Sequence, residues 1–231
     1  MILPTYNEVD NIEMLVAEID RVLSDYKLKE IIIVDDNSSD GTFEKISALC
    51  ASNSLLKLIS NPERKGLGKS IGLGLNLAVG DLIAVMDSDF THRPIELTAM
   101  IGVAHSYDFV NGSRFCSGGS MASKNHYLAS LVFNWVIRLI LQTRIRDNLG
   151  GYWVMNSNAK KILVYDKIFF GYGDYYFRLI HYIQANKLSI VEVPAKYESR
   201  KFGKSKSNFF KLFFSYMLQT LVFRKELFHK S

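Results

Sequence analysis

The sequence predicts an α/β fold: a mostly parallel sheet with helices on both faces, followed by a C-terminal amphipathic helix. Three observations predict it. Across the first 112 residues, short β-branched runs alternate with segments whose apolar residues recur at helical spacing. The strand-like runs are apolar along their length, as in strands covered on both faces. Acidic and polar clusters follow the ends of these runs, where open parallel sheets bind their ligands.

The elements read as follows. Met1-Ile2-Leu3 is the stub of a first strand, stopped by Pro4. A helix over 7–24 carries Ile12, Leu15, Val16, Ile19, Val22 and Leu23 on one face. Residues 30–34 (Glu-Ile-Ile-Ile-Val) form a second strand, and Asp40-Gly41-Thr42 opens a helix to about residue 51. A third strand over 55–59 precedes a helix over 67–79, and a fourth strand over 81–86 precedes a helix over 94–104 with Pro near its start. Residues 108–111 are a fifth strand. The second half is less regular. Residues 113–122 are a Gly- and Ser-rich mobile loop, and 124–142 a long, mostly apolar helix. A strand over 152–156, helices over 159–165 and 174–185, and a strand over 188–193 ended by Pro194 come next. A basic loop over 201–207 leads into a final helix over 208–225.

Composition narrows the function classes. The 231 residues are 48% apolar and 22% charged, which excludes a disordered or fibrous chain. Cys50 and Cys116 are too few and too far apart for a disulfide framework or a C-x-x-C metal site. Met1-Ile2-Leu3-Pro4 lacks the basic start of a signal peptide. The longest apolar stretches, 128–141 and 209–223, are broken by Asn134 and Arg138 and by Lys211 and Gln219, so neither reads as a membrane span. The net charge of +5 is uneven: residues 196–231 hold nine Lys or Arg against two Glu, a net +7, and the rest carries −2. Arg200-Lys201-Phe202-Gly203-Lys204-Ser205-Lys206 beside a Phe-rich helix is the pattern of a membrane-surface anchor, and equally of a core helix with basic flanks.

Asp87-Ser88-Asp89 follows the fourth strand. Alternate residues of an extended chain point one way, so two carboxylates there suit a hard divalent cation whose shell a diphosphate completes; an acidic turn has the same pattern. Asp35 and Asp36 at the end of the second strand suit ribose or base hydroxyls, or simply shape the turn. Gly68-Lys69-Ser70 is not a Walker loop, because Glu63 stands where its first Gly belongs. The N-terminus of the helix over 67–79, with Arg64 and Lys65 beside it, is suited to attract phosphate.

The segments Leu3-Pro4-Thr5-Tyr6-Asn7-Glu8, Val34-Asp35-Asp36-Asn37-Ser38-Ser39-Asp40-Gly41-Thr42, Lys65-Gly66-Leu67-Gly68, Met86-Asp87-Ser88-Asp89-Phe90-Thr91-His92, Asn111-Gly112-Ser113-Arg114 and the basic run from Arg200 to Lys206 form an ordered set. Together they resemble the inverting family-two glycosyltransferases of the Rossmann-like GT-A fold. Within these, the set is similar to the branch of dolichyl-phosphate mannose synthases and bacterial polyprenyl-phosphate glycosyltransferases. The resemblance implies that Pro4, Tyr6, Glu8, Asp36, Lys65 and Asp87 bind the donor, and that Asp87 and Asp89 hold Mg²⁺ or Mn²⁺. It places Arg114, Ser130, Arg200 and Lys206 at the acceptor phosphate, and makes Asp87, Asp89, Arg114 and Arg200 the catalytic set. Thr91 stands where relatives often have Gln, and His126 where they often have Arg. Asn148-Leu149-Gly150-Gly151-Tyr152 and Gly171-Tyr172-Gly173-Asp174 also depart from the family pattern.

The implied function is metal-dependent, inverting transfer of a sugar from GDP-mannose or a UDP-hexose to dolichyl or undecaprenyl phosphate. A phosphomonoester is largely dianionic at neutral pH, its second pKa being about 6, and needs no strong base to attack. The expected layout is a catalytic domain over 1–200 and a basic loop with a membrane-surface helix over 201–231, peripheral on the cytoplasmic face of the membrane. Two alternatives stand beside it. One is transfer to a saccharide hydroxyl in surface polysaccharide synthesis, with Asp174 as base; the other is an inactive sugar-nucleotide-binding module. Nucleic acid is not an expected partner, since the acidic strand ends oppose phosphate and no RNA-binding motif is present.

Overall fold

The computed structural model describes residues 1–63, 65–202 and 209–228. In chain order its elements are β1 (Ile2–Thr5), α1 (Ile12–Val22), β2 (Ile31–Asp35), α2 (Thr42–Ser52), β3 (Leu56–Ser60), α3 (Leu67–Leu77), β4 (Leu82–Val85), α4 (Glu96–Ala104) and β5 (Phe109–Ser113). There follow β6 (Ser120–Met121), α5 (Lys124–Leu141), β7 (Trp153–Asn156), α6 (Ser157–Lys161), α7 (Tyr165–Ile168), α8 (Tyr175–Ala185), β8 (Ile190–Pro194), β9 (Lys196–Tyr197) and α9 (Phe209–Phe228).

The main sheet has the order β3-β2-β1-β4-β7-β5-β8. Its pairings are parallel except for β7, which runs antiparallel to both β4 and β5. Alternation of side chains divides the core into two layers. Leu3, Ile31 and Ile33 pack with Ile12, Leu15 and Ile19 of α1, Ile46 of α2 and Leu97 of α4 on one face. Ile2, Ile32 and Val34 pack with Ile71 and Leu75 of α3 and Leu179 of α8 on the other. A Cβ on Gly74 would lie 2.7 Å from the Ile2 side chain, so the missing side chain lets α3 lie close on the sheet.

Four details differ from the sequence reading. The first strand runs through Pro4 to Thr5. Met1 and Thr5 carbonyls accept from Ile32 of β2 and from Asp36 just after it, so odd residues face β2 and Pro4 faces β4. The β1–β4 ladder stops at Ile2–Val85, so the missing Pro4 N–H removes no ladder bond. The expected helix over 159–165 is two short pieces, α6 and α7. The 113–122 loop contains β6, which pairs in parallel with β9. Finally, α9 is not a free appendage. Phe213, Tyr216 and Phe223 join Phe133, Ile137 and Leu141 of α5 and Phe177 of α8 in a third apolar cluster.

Candidate active site

The acids of β1 and β4 converge at the carboxyl edge of the sheet. Glu8 follows β1, and its carbonyl accepts the Asn11 and Ile12 amides at 3.0 Å, which seats it at the head of α1. Ser88 Oγ donates to the Pro4 carbonyl at 2.9 Å and ties the loop after β4 to the end of β1. Phe90 then adopts φ +64°, a turn that non-glycine residues rarely make. It returns the chain so that Asp89 Oδ1 accepts Thr91 N at 2.9 Å and Thr91 Oγ1 at 2.6 Å. Thr91, which replaces the usual Gln, therefore braces Asp89.

Arg200 reaches this cluster from the segment after β9. Its Nη2 lies 3.0 Å from Asp89 Oδ2 and its Nη1 3.7 Å from Glu8 Oε1. The segment is laced to the acid loop by Glu198 N to Thr91 O at 2.9 Å and Lys201 N to Asp89 O at 3.3 Å. Asp87 is the open member. Its side chain is 38% exposed, and its backbone amide donates to His92 Nδ1 at 3.0 Å. Partial burial, then the neighbouring Asp89 carboxylate, push the Asp87 carboxyl above the usual carboxylate range. Burial lowers His92 to about 4, so its imidazole is neutral at physiological pH.

Arg114 sits behind the acids and is buried. Its Nε and Nη2 donate to the two Asp147 oxygens at 2.8 and 2.7 Å, a bidentate pair, and its backbone amide donates to the same carboxylate at 3.0 Å. Burial works against the charge, but Asp147 more than offsets it and holds the guanidinium above its usual range. The Arg114 guanidinium carbon also lies 4.8 Å from the Tyr197 ring centre.

The other residues expected at the site fall as follows. Asp36 binds the loop before α3: its carboxylate accepts Asn61 Nδ2 at 2.7 Å, Lys65 N at 2.9 Å and Gly66 N at 3.0 Å. Lys65 Nζ pairs with Glu63 at 2.8 Å, and Gly68 N donates to the Gly171 carbonyl, so donors at the α3 N-terminus are already engaged. Asp35 takes the turn-shaping role, accepting Ser38 N at 3.0 Å and Ser38 Oγ at 2.5 Å. Tyr6 is half-buried at the end of β1. Ser130 lies on α5, one turn beyond Tyr127, whose ring is 5.1 Å from that of Phe115 next to Arg114. Lys206 and Lys204 lie outside the described residues, as does Arg64. Asp174, the alternative base, is committed elsewhere: it accepts Arg178 Nη1 at 2.6 Å and Tyr172 N at 2.7 Å.

Three contributors escaped the sequence reading. Asp147 and Tyr197 belong to no motif. Tyr172 sits close enough to the cluster that its phenol is raised by desolvation and then by Asp87. Only the Gly-Tyr-Gly-Asp departure hinted at it.

The acid pair has the donor chemistry of a Mg²⁺ or Mn²⁺ site, hard carboxylate oxygens opening on a cleft. Among the described residues no group of three or more His, Cys, Asp or Glu is placed to hold a metal alone, so further oxygens must come from ligand or water. Asp87 fits as a ligand, because its side chain is partly open and lies beside Asp89. Asp89 shares its Oδ2 with Arg200.

Comparison with known proteins places this arrangement. The chain is 32% identical to a dolichol-phosphate mannosyltransferase of Pyrococcus furiosus over 89% of its own length and 58% of that protein. It thus spans less than two thirds of that relative. It is 26% identical to an undecaprenyl-phosphate mannosyltransferase of Micrococcus luteus, over 89% of this chain and 85% of the other. Glucosyl-3-phosphoglycerate synthase from Mycobacterium tuberculosis, solved with Mn²⁺, UDP-glucose and phosphoglyceric acid, superposes with a TM-score of 0.71. At 19% identity, covering 96% of this chain and 78% of that one, it shows the shared GT-A fold. Residues 1–163 match the description "Glycosyl transferase family 2". The ordered motifs, the sheet and this match over most of the chain lead to one conclusion: the chain belongs to glycosyl transferase family 2.

Proposed function

We propose that this protein is an inverting glycosyltransferase that moves a hexose from a nucleotide-sugar donor to a polyprenyl phosphate. The observation that carries the reading is the contact of Arg200 with Asp89 at 3.0 Å, and with Glu8 at 3.7 Å. It joins the acids suited to the donor side to a cation suited to a phosphate acceptor, with the buried Arg114 behind them.

In this reading Asp87 and Asp89 hold Mg²⁺ or Mn²⁺, which would offset charge on the leaving diphosphate. Pro4, Tyr6 and Glu8 line the end of β1, where the donor enters. Asp36 acts by holding the Lys65–Gly66 backbone that borders the nucleotide. Arg200 moves from the acids to the acceptor phosphate as the ligands assemble, with Arg114, Ser130 and Lys206 as the further acceptor-side groups. A dianionic phosphate attacks the anomeric carbon without a general base. That suits a site where His92 is buried and neutral and Asp174 is tied to Arg178. Transfer to a saccharide hydroxyl lacks such a base, and is the weaker reading for that reason.

The lipid side rests on exposed apolar stripes. Leu128, Val132, Trp135 and Leu139 of α5 are each close to 60% exposed, at helical spacing. On α9, Phe214, Leu218 and Leu221 repeat the pattern at 69%, 61% and 53%. Such surfaces mark binding sites rather than ordinary monomer surface. No helix among the described residues is long and apolar enough to cross a membrane, so these faces suit lying on one. The proposed layout keeps a catalytic part over 1–200 and a basic, membrane-facing part over 201–231, to which α5 adds its stripe.

The proposal is tested by incubating the protein with GDP- or UDP-sugars, dolichyl or undecaprenyl phosphate, and Mg²⁺ or Mn²⁺. Lipid-linked sugar from one donor supports it. Consumption of donor with product only on saccharide would favour the alternative acceptor, and binding without turnover an inactive module.

A further inference from the structure

The loop after β4 poses a problem of hydrogen bonding. Strand β4 ends at Val85, so the Asp87 amide lies beyond its ladders and needs another acceptor, since an unpaired N–H in a protein interior is costly. His92 supplies the acceptor, through Nδ1 at 3.0 Å. That bond fixes the neutral ring's proton on Nε2. His92 Nε2 is buried, faces the Gly150 carbonyl, and lies 3.9 Å from Asp87 Oδ2. The ring cannot turn away. It stacks on Tyr152 at 4.7 Å and 10° and meets Tyr197 edge-on at 4.5 Å and 72°. Tyr152 is anchored by its hydroxyl to the Arg93 carbonyl and Tyr197 to the Gly150 carbonyl, each at 2.8 Å. Arg114 lies over the same Tyr197 ring.

We propose that His92 is a positioning residue: it holds the Asp87 peptide through Nδ1, and through Tyr197 keeps Asp87 in register with Arg114. One immobilised imidazole thus ties the donor-side acid to the acceptor-side cation. The inference deepens the proposed function and rests on Asp87 being a ligand for the divalent cation.

The test is Mn²⁺ binding to the full chain with UDP or GDP, followed by electron paramagnetic resonance, alongside thermal melting. Outer-shell partners typically carry 10- to 100-fold in metal affinity, so a folded His92→Phe, which keeps the stacked ring, should bind Mn²⁺ about 10-fold or more weakly. His92→Asn, which restores an acceptor and a donor, should recover much of that loss. A purely structural His92 would lower the melting temperature and leave Mn²⁺ affinity unchanged, and that result overturns the proposal. Asp87→Ala separates the two claims: wild-type Mn²⁺ affinity in that variant would refute Asp87 as a ligand, whatever His92 does. Should His92→Phe fail to fold, ring-nitrogen NMR of the wild type decides. Mg²⁺ with UDP or GDP should shift the His92 Nδ1 resonance, and an unmoved resonance at saturation contradicts the proposal.

Discussion

At the scale of single residues, the site is a set of charges mostly committed to particular partners, with Asp87 left open. Asp87 and Asp89 stood out in the sequence as an acid pair directly after a buried strand, a pattern that an acidic turn shares. Asp147 did not, since it lies 33 residues from Arg114 and only the fold brings them together. The contact of His92 with the Asp87 amide was hidden for a similar reason: it depends on where β4 stops, which one sequence does not reveal. The contacts of Asp36, expected on the donor side, with Asn61 Nδ2 and the Lys65 and Gly66 amides were likewise invisible before the fold brought them together. The Arg114–Asp147 pair carries a clear expectation. Removing one partner of a buried pair costs about 3–5 kcal/mol, because it strands the other charge. Asp147→Asn should therefore lower stability by an amount of that order in a chemical denaturation curve. A loss within error of zero would mean that Arg114 finds another partner or solvent.

At the scale of elements, the alternating first half was readable because parallel βαβ units impose two clean periodicities. The direction of β7 was not. Trp153, Val154 and Met155 are buried whichever way the strand runs, so an antiparallel insertion has the same apolar signature as its parallel neighbours. The two faces of α9 could not be assigned either, since both are apolar, and only packing on α5 and α8 distinguishes them. Trp135→Glu with Leu218→Glu places charge on the exposed stripes without touching that cluster. The double variant should keep its melting temperature and lose most binding to anionic vesicles in flotation; unchanged flotation would remove these helices from the membrane account. The inner face gives a pH prediction. Burial, with Phe223 of α9 edge-on at 5.3 Å, lowers His181 below its ordinary 6.5. A depressed folded-state value means that the unfolded chain takes up the proton first. Stability from neutral His181 is thus full above 6.5 and is lost as pH falls through the lowered folded-state value. Melting curves across that range should show an acid-side decline that His181→Leu flattens.

At the scale of the whole molecule, the modest net charge of +5 joins two unlike parts, a slightly acidic body and a strongly basic tail. The acids of the body meet the start of that tail at Arg200. The apolar stripes of α5 and α9 lie on the helices packed beside it, an arrangement suited to a water-soluble donor and a lipid acceptor that must meet at one carbon. Its most direct test is transfer of radiolabelled sugar from the productive nucleotide donor to polyprenyl phosphate, measured as label extracted into organic solvent. Wild-type protein should give organic-phase label that disappears with a chelator, returns with Mg²⁺ or Mn²⁺, and falls by at least about 100-fold in Asp87→Asn, as expected for losing one charge-stabilising group. Label found only in water-soluble saccharide, or undiminished transfer by Asp87→Asn at saturating donor, would contradict it.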